Sequence, residues 1–64
     1  MEQDRSLKIT GLKTVLAMLH RREMRLRSML SSTLTSPEYR QEARSELETL
    51  LRDTRRIEDQ ISTL

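Results

Sequence analysis

Apolar residues recur at alternating spacings of four and three along the second half of the chain. Thr54 is the only polar member of this row, which comprises Ala43, Leu47, Leu50, Thr54, Ile57, Ile61 and Leu64. Such spacing is the heptad pattern of a helix that presents one narrow stripe to a neighbouring helix. Tyr39 extends the row by one turn toward the middle of the chain. The pattern therefore predicts a helix over about 37–63.

The first half of the chain carries a comparable row with helical spacing. Val15 and Ile9 widen this row, whose members are Leu12, Leu16, Leu19, Glu23, Leu26 and Leu30. A helix over about 5–31 is predicted. Because a glycine inside a helix costs about 1 kcal/mol relative to alanine, Gly11 indicates fraying or a kink near the start of this helix.

A cluster of hydroxyl residues ahead of the only proline separates the two rows. Residues 31–37 read Ser-Ser-Thr-Leu-Thr-Ser-Pro, and such side chains compete with helical backbone hydrogen bonds. Ser36 suits the N-cap, Pro37 the first helical position, and Glu38 the positive end of the helix dipole. We therefore predict a turn over 32–36.

Two long helices joined by a short turn pack as antiparallel neighbours. The predicted fold class is all-α, with residues 1–64 forming a single antiparallel two-helix hairpin of coiled-coil type. We expect the seam between the helices to contain Leu30, Tyr39, Ala43, Leu47, Leu50, Ile57 and Ile61.

Helix one carries more apolar surface than a hairpin seam requires. At 100° per residue, Leu7, Met18 and Met29 lie on a shoulder beside the main row, and Val15 bridges the two. Another chain would have to cover this shoulder, and in a domain of fewer than roughly 70–80 residues a lone core rarely supplies more than about 3–5 kcal/mol. The predicted partner-binding residues are Leu12, Val15, Leu16, Met18, Leu19, Leu26 and Met29.

The composition argues against chemistry carried by the chain itself. There is no Cys, and His20 is the only histidine, so neither a disulfide, a structural metal centre nor a catalytic triad can be assembled. We expect no enzymatic activity, cofactor, metal or small-molecule substrate. No apolar run approaches the roughly 18 residues of a membrane span, and we expect a cytoplasmic protein.

Charge is divided between the two halves of the chain. Residues 1–30 carry seven Lys or Arg against three acids, and residues 31–64 carry five Arg against seven acids. The rival to a hetero-complex is a homodimeric four-helix bundle that presents the row Arg21, Arg22, Arg25 and Arg27 to RNA. We do not expect nucleic-acid binding, because Glu23 interrupts the row and aromatic residues that could stack on bases are missing.

The chain resembles the small helical-hairpin co-chaperones of bacterial type III secretion. The similarity lies in the length, the two-helix plan, the entry into helix two (Ser36-Pro37-Glu38-Tyr39-Arg40-Gln41) and the basic segment Arg22-Glu23-Met24-Arg25. The chain has a Ser/Thr-rich turn where glycine is common in that family. The resemblance implies a cytoplasmic protein that stabilises a larger, tetratricopeptide-like helical chaperone. The two would keep a polymerising needle subunit monomeric before export.

Overall fold

Two antiparallel helices make up the fold of this protein. The computed structural model describes residues 2–64, with side chains from residue 4 onward. Helix α1 spans Glu2–Ser31 and helix α2 spans Pro37–Ser62, and they pack along each other in a body of 50 × 15 × 11 Å. The predicted all-α hairpin is confirmed. Neither described helix contains a stretch long and apolar enough to cross a membrane.

Helix α1 begins three residues before its predicted start and continues through Gly11. Adding residues to an established helix is cooperative, so the cost of one glycine is small against a helix of 30 residues. Two hydroxyl groups beside Gly11 also bond within the helix: Thr10 Oγ1 donates to Ser6 O, and Thr14 Oγ1 donates to Thr10 O, both at 2.9 Å. The expected fraying or kink does not interrupt α1.

The turn is organised by the capping residues that the sequence indicates. Ser36 has extended backbone angles (φ −65°, ψ 154°), and its Oγ accepts a hydrogen bond from the Tyr39 N–H at 3.4 Å. Pro37 occupies the first turn of α2, followed by Glu38. On the other side of the turn, Ser32 Oγ accepts from the Leu34 N–H at 3.2 Å. The chain therefore reverses direction within five residues that the caps hold in place.

The core between the helices is small. Among the described residues, its buried apolar members are Leu26, Ala43 and Leu50, and the half-buried side chains packed against them are Leu19, Met29, Leu30 and Leu47. Thr54 is also buried, and its Oγ1 donates to Leu50 O at 2.9 Å. The one polar residue of the seam thus has a partner within its own helix, and its burial leaves no unpaired hydroxyl.

The exposure of two residues differs from what their sequence assignments suggest. Leu26, assigned to the partner surface, is only 5% exposed and belongs to the core. It belongs to the same cluster as Ala43 of α2, whose small side chain lets the helices approach closely. Tyr39, assigned to the seam, is 60% exposed. It lies in the first turn of α2 at the edge of the stripe, where its bulky ring remains outside the core.

Candidate functional site

One side of the hairpin has an open groove that follows the junction of α1 and α2. Its volume is about 590 Å³, and its lining residues are Met18, Arg21, Arg22, Arg25, Leu26, Met29, Tyr39, Glu42, Ala43 and Glu46. The apolar members come from both helices. The groove is amphipathic, because its lining also includes the charged side chains of three arginines and two glutamates.

A second, shallower depression of about 300 Å³ continues along the helices, away from the turn. It shares Arg22 and Glu46 with the groove and is lined further by Leu19, Ser45, Thr49, Leu50 and Asp53. The two depressions together form one elongated surface along the hairpin.

Large apolar side chains remain exposed on the groove side of α1. Met18, which lines the groove, is 64% exposed, and Leu7 and Val15 are also exposed. Met29 is half-buried and packs against the core. Leu7, Met18 and Met29 are the shoulder that the helical wheel predicts, and Val15 is the residue that bridges it to the main row. Methionine adapts its shape to irregular contact surfaces, and a row of exposed apolar side chains indicates a surface that another chain covers.

The predicted partner-binding residues divide into three groups in the structure. Met18, Leu26 and Met29 line the groove. Leu19 lines the second depression. The other three lie outside both sets: Leu12 and Leu16 are half-buried, and Val15 is exposed. The structure thus brings four of the seven predicted residues, Met18, Leu19, Leu26 and Met29, to one elongated surface.

Four residues of α2 line the groove although the sequence analysis did not assign them to a binding surface, and one of them is the core residue Ala43. Tyr39, Glu42 and Glu46 line it from the side opposite the arginines. Their spacings of three and four place them on one helical face, which is the signal that could have identified them.

Charges of opposite sign occupy the two edges of the groove. We call Arg21, Arg22 and Arg25 of α1 the arginine bank, and Glu42 and Glu46 of α2 the glutamate bank. Arg22 Nη2 lies 3.8 Å from Glu46 Oε2, and both side chains are more than half exposed. An ion pair this exposed contributes little to stability, so both groups are available to a partner.

The arginine row is partly neutralised within the hairpin itself. Arg22 pairs with Glu46 across the helices, and Arg27 Nε donates to Glu23 Oε2 at 3.0 Å along α1.

Within the described part of the chain, no group of three or more His, Cys, Asp or Glu side chains is placed to hold a metal ion. An amphipathic helix fits this groove chemically, because its apolar face can contact the apolar residues of the groove and its charged side chains can form ion pairs with the two banks.

No family model, curated protein or solved structure matches this chain.

Proposed function

We propose that this hairpin is a protein-binding adaptor that docks a helix of a larger protein into the groove. The observation that carries the proposal is the exposure of Met18 at the edge of an apolar groove that continues onto the hairpin core. A two-helix unit with so small a core gains stability when a third apolar helix covers this side. Binding and folding of the hairpin are therefore coupled, and a partner raises its stability by mass action.

The narrower proposal is that the hairpin is a cytoplasmic co-chaperone of type III secretion. It rests on the resemblance in length, two-helix plan and capped entry into α2. In this role, the larger helical chaperone would cover the groove, and the pair would hold a needle subunit in monomeric form before export. The hairpin would contact the needle subunit only indirectly.

A homodimeric four-helix bundle is the second candidate, because the charges along the groove are complementary to those of a second copy. In such a bundle the arginine bank would face the second copy. That arrangement disfavours RNA binding through the row from Arg21 to Arg27, since three of its four arginines line the groove.

Copurification tests the co-chaperone proposal. The hairpin would be co-expressed with a tetratricopeptide-like secretion chaperone and its needle subunit, as the wild type and as the variants Met18→Asp and Met24→Asp. Met24 is the matched control, because it is 72% exposed on the same helix and does not line the groove. We expect a ternary complex with the wild type and Met24→Asp, and none with Met18→Asp.

Two other outcomes would count against the proposal at different levels. A wild-type hairpin that forms no complex with these proteins would remove the secretion role and leave docking in the groove to be tested with other partners. A complex that survives Met18→Asp, with α-helical circular dichroism unchanged, would remove the groove as the docking surface.

A further inference from the structure

The groove is divided by charge in a way that specifies how a second copy of the chain can fit. The arginine bank lies on α1 and the glutamate bank on α2. Their centres lie at the same height along the hairpin, as the 3.8 Å approach of Arg22 to Glu46 shows. Because the two helices are antiparallel, Arg25 of α1 and Glu42 of α2 also lie at nearly the same height. Both are about one helical turn nearer to the loop between the helices than Arg22 and Glu46 are.

Two hairpins can pack groove to groove with twofold symmetry in two ways. If the axis is perpendicular to the helices, α1 lies against α1 of the second copy, and the arginine banks lie on facing helices. If the axis is parallel to the helices, α1 lies against α2 of the second copy, and heights along the helices are preserved. Only the parallel axis brings each arginine bank opposite a glutamate bank.

We propose that, without a larger partner, the groove is closed by a second copy of this chain in a parallel four-helix bundle. In it, α1 of each copy packs on α2 of the other, and both interhelical turns lie at the same end. Met18 of one copy then lies level with Met18 of the other across the twofold axis, and the same holds for Met29. Two further ion-pairing rows, between the copies, then join the one row that each hairpin has along its own groove, and like charges stay apart.

The size of the groove face suits such an interface. The hairpin extends 50 × 15 Å along this side, so a second copy of the same length can cover the groove from end to end. Two such hairpins also contain four helices, which is the usual number in a helix bundle with one apolar core. The second copy therefore supplies the cover that the exposed Met18 and the half-buried Met29 lack in one hairpin.

This inference rests on the proposed function to the extent that both use the groove as the docking surface. It adds a form of regulation, because a helix of a larger partner has to displace the second copy before it can bind. Self-association would then keep the apolar surface covered until the partner is present.

Distances between spin labels test the arrangement. The chain has no cysteine, and Leu34, 95% exposed in the turn, is a site for a single label in the Leu34→Cys variant. We expect a distance below about 30 Å between the two labels of a dimer, because packed helices lie about 8–10 Å apart. A distance near the 50 Å length of the hairpin, or a monomer without dipolar coupling, would overturn the proposal.

Charge reversal provides a second, independent measurement. By sedimentation equilibrium, Arg25→Glu should raise the dimer dissociation constant about tenfold, because the change acts twice in a symmetric interface. The double variant Arg25→Glu, Glu42→Arg should restore the wild-type constant, with circular dichroism reporting intact helices throughout. A dimer that Arg25→Glu tightens would show that the arginine banks face each other and would contradict the parallel arrangement.

The outcomes separate this inference from the proposed function. A hairpin that stays monomeric at all concentrations and still forms the ternary complex through Met18 would overturn the homodimer alone. A parallel dimer that forms no complex with the secretion proteins would leave the homodimer standing and remove the co-chaperone role.

Discussion

The guanidinium group of Arg40 in α2 donates a hydrogen bond from Nη2 to the main-chain oxygen of Ser32 at 2.7 Å. Helix α1 has no basic residue in its last turn, so Arg40 supplies a positive charge where the dipole of α1 is negative. The contact ties the end of α1 to the start of α2. The Arg40 Nε is buried without a hydrogen-bond partner, and its desolvation offsets part of the gain.

Arg40→Met should therefore lower the free energy of unfolding by about 1 kcal/mol, less than the roughly 1.5–3 kcal/mol of an unopposed charged hydrogen bond. Urea unfolding followed by circular dichroism measures the change. Arg44→Met is the control, because Arg44 is exposed one helical turn further along, and a surface substitution changes stability by less than about 0.5 kcal/mol. Equal losses in the two variants would show that the contact with Ser32 has no stabilising role.

Leu50→Asp should unfold the hairpin, because Leu50 is buried in the core and the transfer of a carboxylate from water into an apolar core is costly. The adjacent Leu51→Asp is a matched control, since Leu51 is exposed. Circular dichroism of the isolated chain should show loss of the helical signal for the first variant and its retention for the second. A helical Leu50→Asp variant would contradict the position of the seam.

Ala43→Leu should destabilise the hairpin by about 1–3 kcal/mol through overpacking. Ala43 is only 2% exposed and lies in the core with Leu26, so a larger side chain has to push the helices apart. Ala17→Leu introduces the same side chain at an exposed position of α1 and should leave stability nearly unchanged. Thermal unfolding at one fixed protein concentration compares the two, and an unaffected Ala43→Leu variant would exclude close packing at this point.

Gly11→Ala should stabilise the protein by about 1 kcal/mol, since alanine is the better helix former. A Cβ atom at this position would meet no other atom within 4 Å, so no steric cost opposes the gain. For a chain of this size, the melting temperature should rise by roughly 4–8 °C. Ala17→Gly should produce a shift of similar size and opposite sign. A lower melting temperature for Gly11→Ala would mean that α1 requires glycine there.

The fold could be predicted from the sequence because two of its signals are local and unambiguous. The spacing of Ala43, Leu47 and Leu50 allows only one face of α2 to be buried. Ser36 and Pro37 specify where that helix begins. These signals depend on neighbouring residues alone, so the antiparallel hairpin was predicted without information on tertiary contacts.

The groove was only partly predictable. Helix α1 is apolar over a wide arc, so its pattern does not determine whether Leu26 or Met29 lies closest to α2. Leu26, assigned to the partner surface, is buried in the core and also lines the groove.

Tyr39 lies four residues before Ala43, whereas the alternation of four and three places the preceding seam position three residues before it, at Arg40. Arg40 is accordingly half-buried, and Tyr39 lies at the edge of the stripe. The glutamate bank was missed because the spacing of Glu42 and Glu46 places them on one face of α2 but does not show that this face borders α1.

The central claim is that another protein chain occupies the groove, and site-specific photo-cross-linking in the native cells tests it most directly. A photoreactive amino acid would replace Met18 in one variant and Met24 in the other. We expect covalent adducts with a second polypeptide, identified by mass spectrometry, from position 18 and none from position 24. Equal adducts from both positions, or none from position 18 while the hairpin remains helical, would contradict the claim.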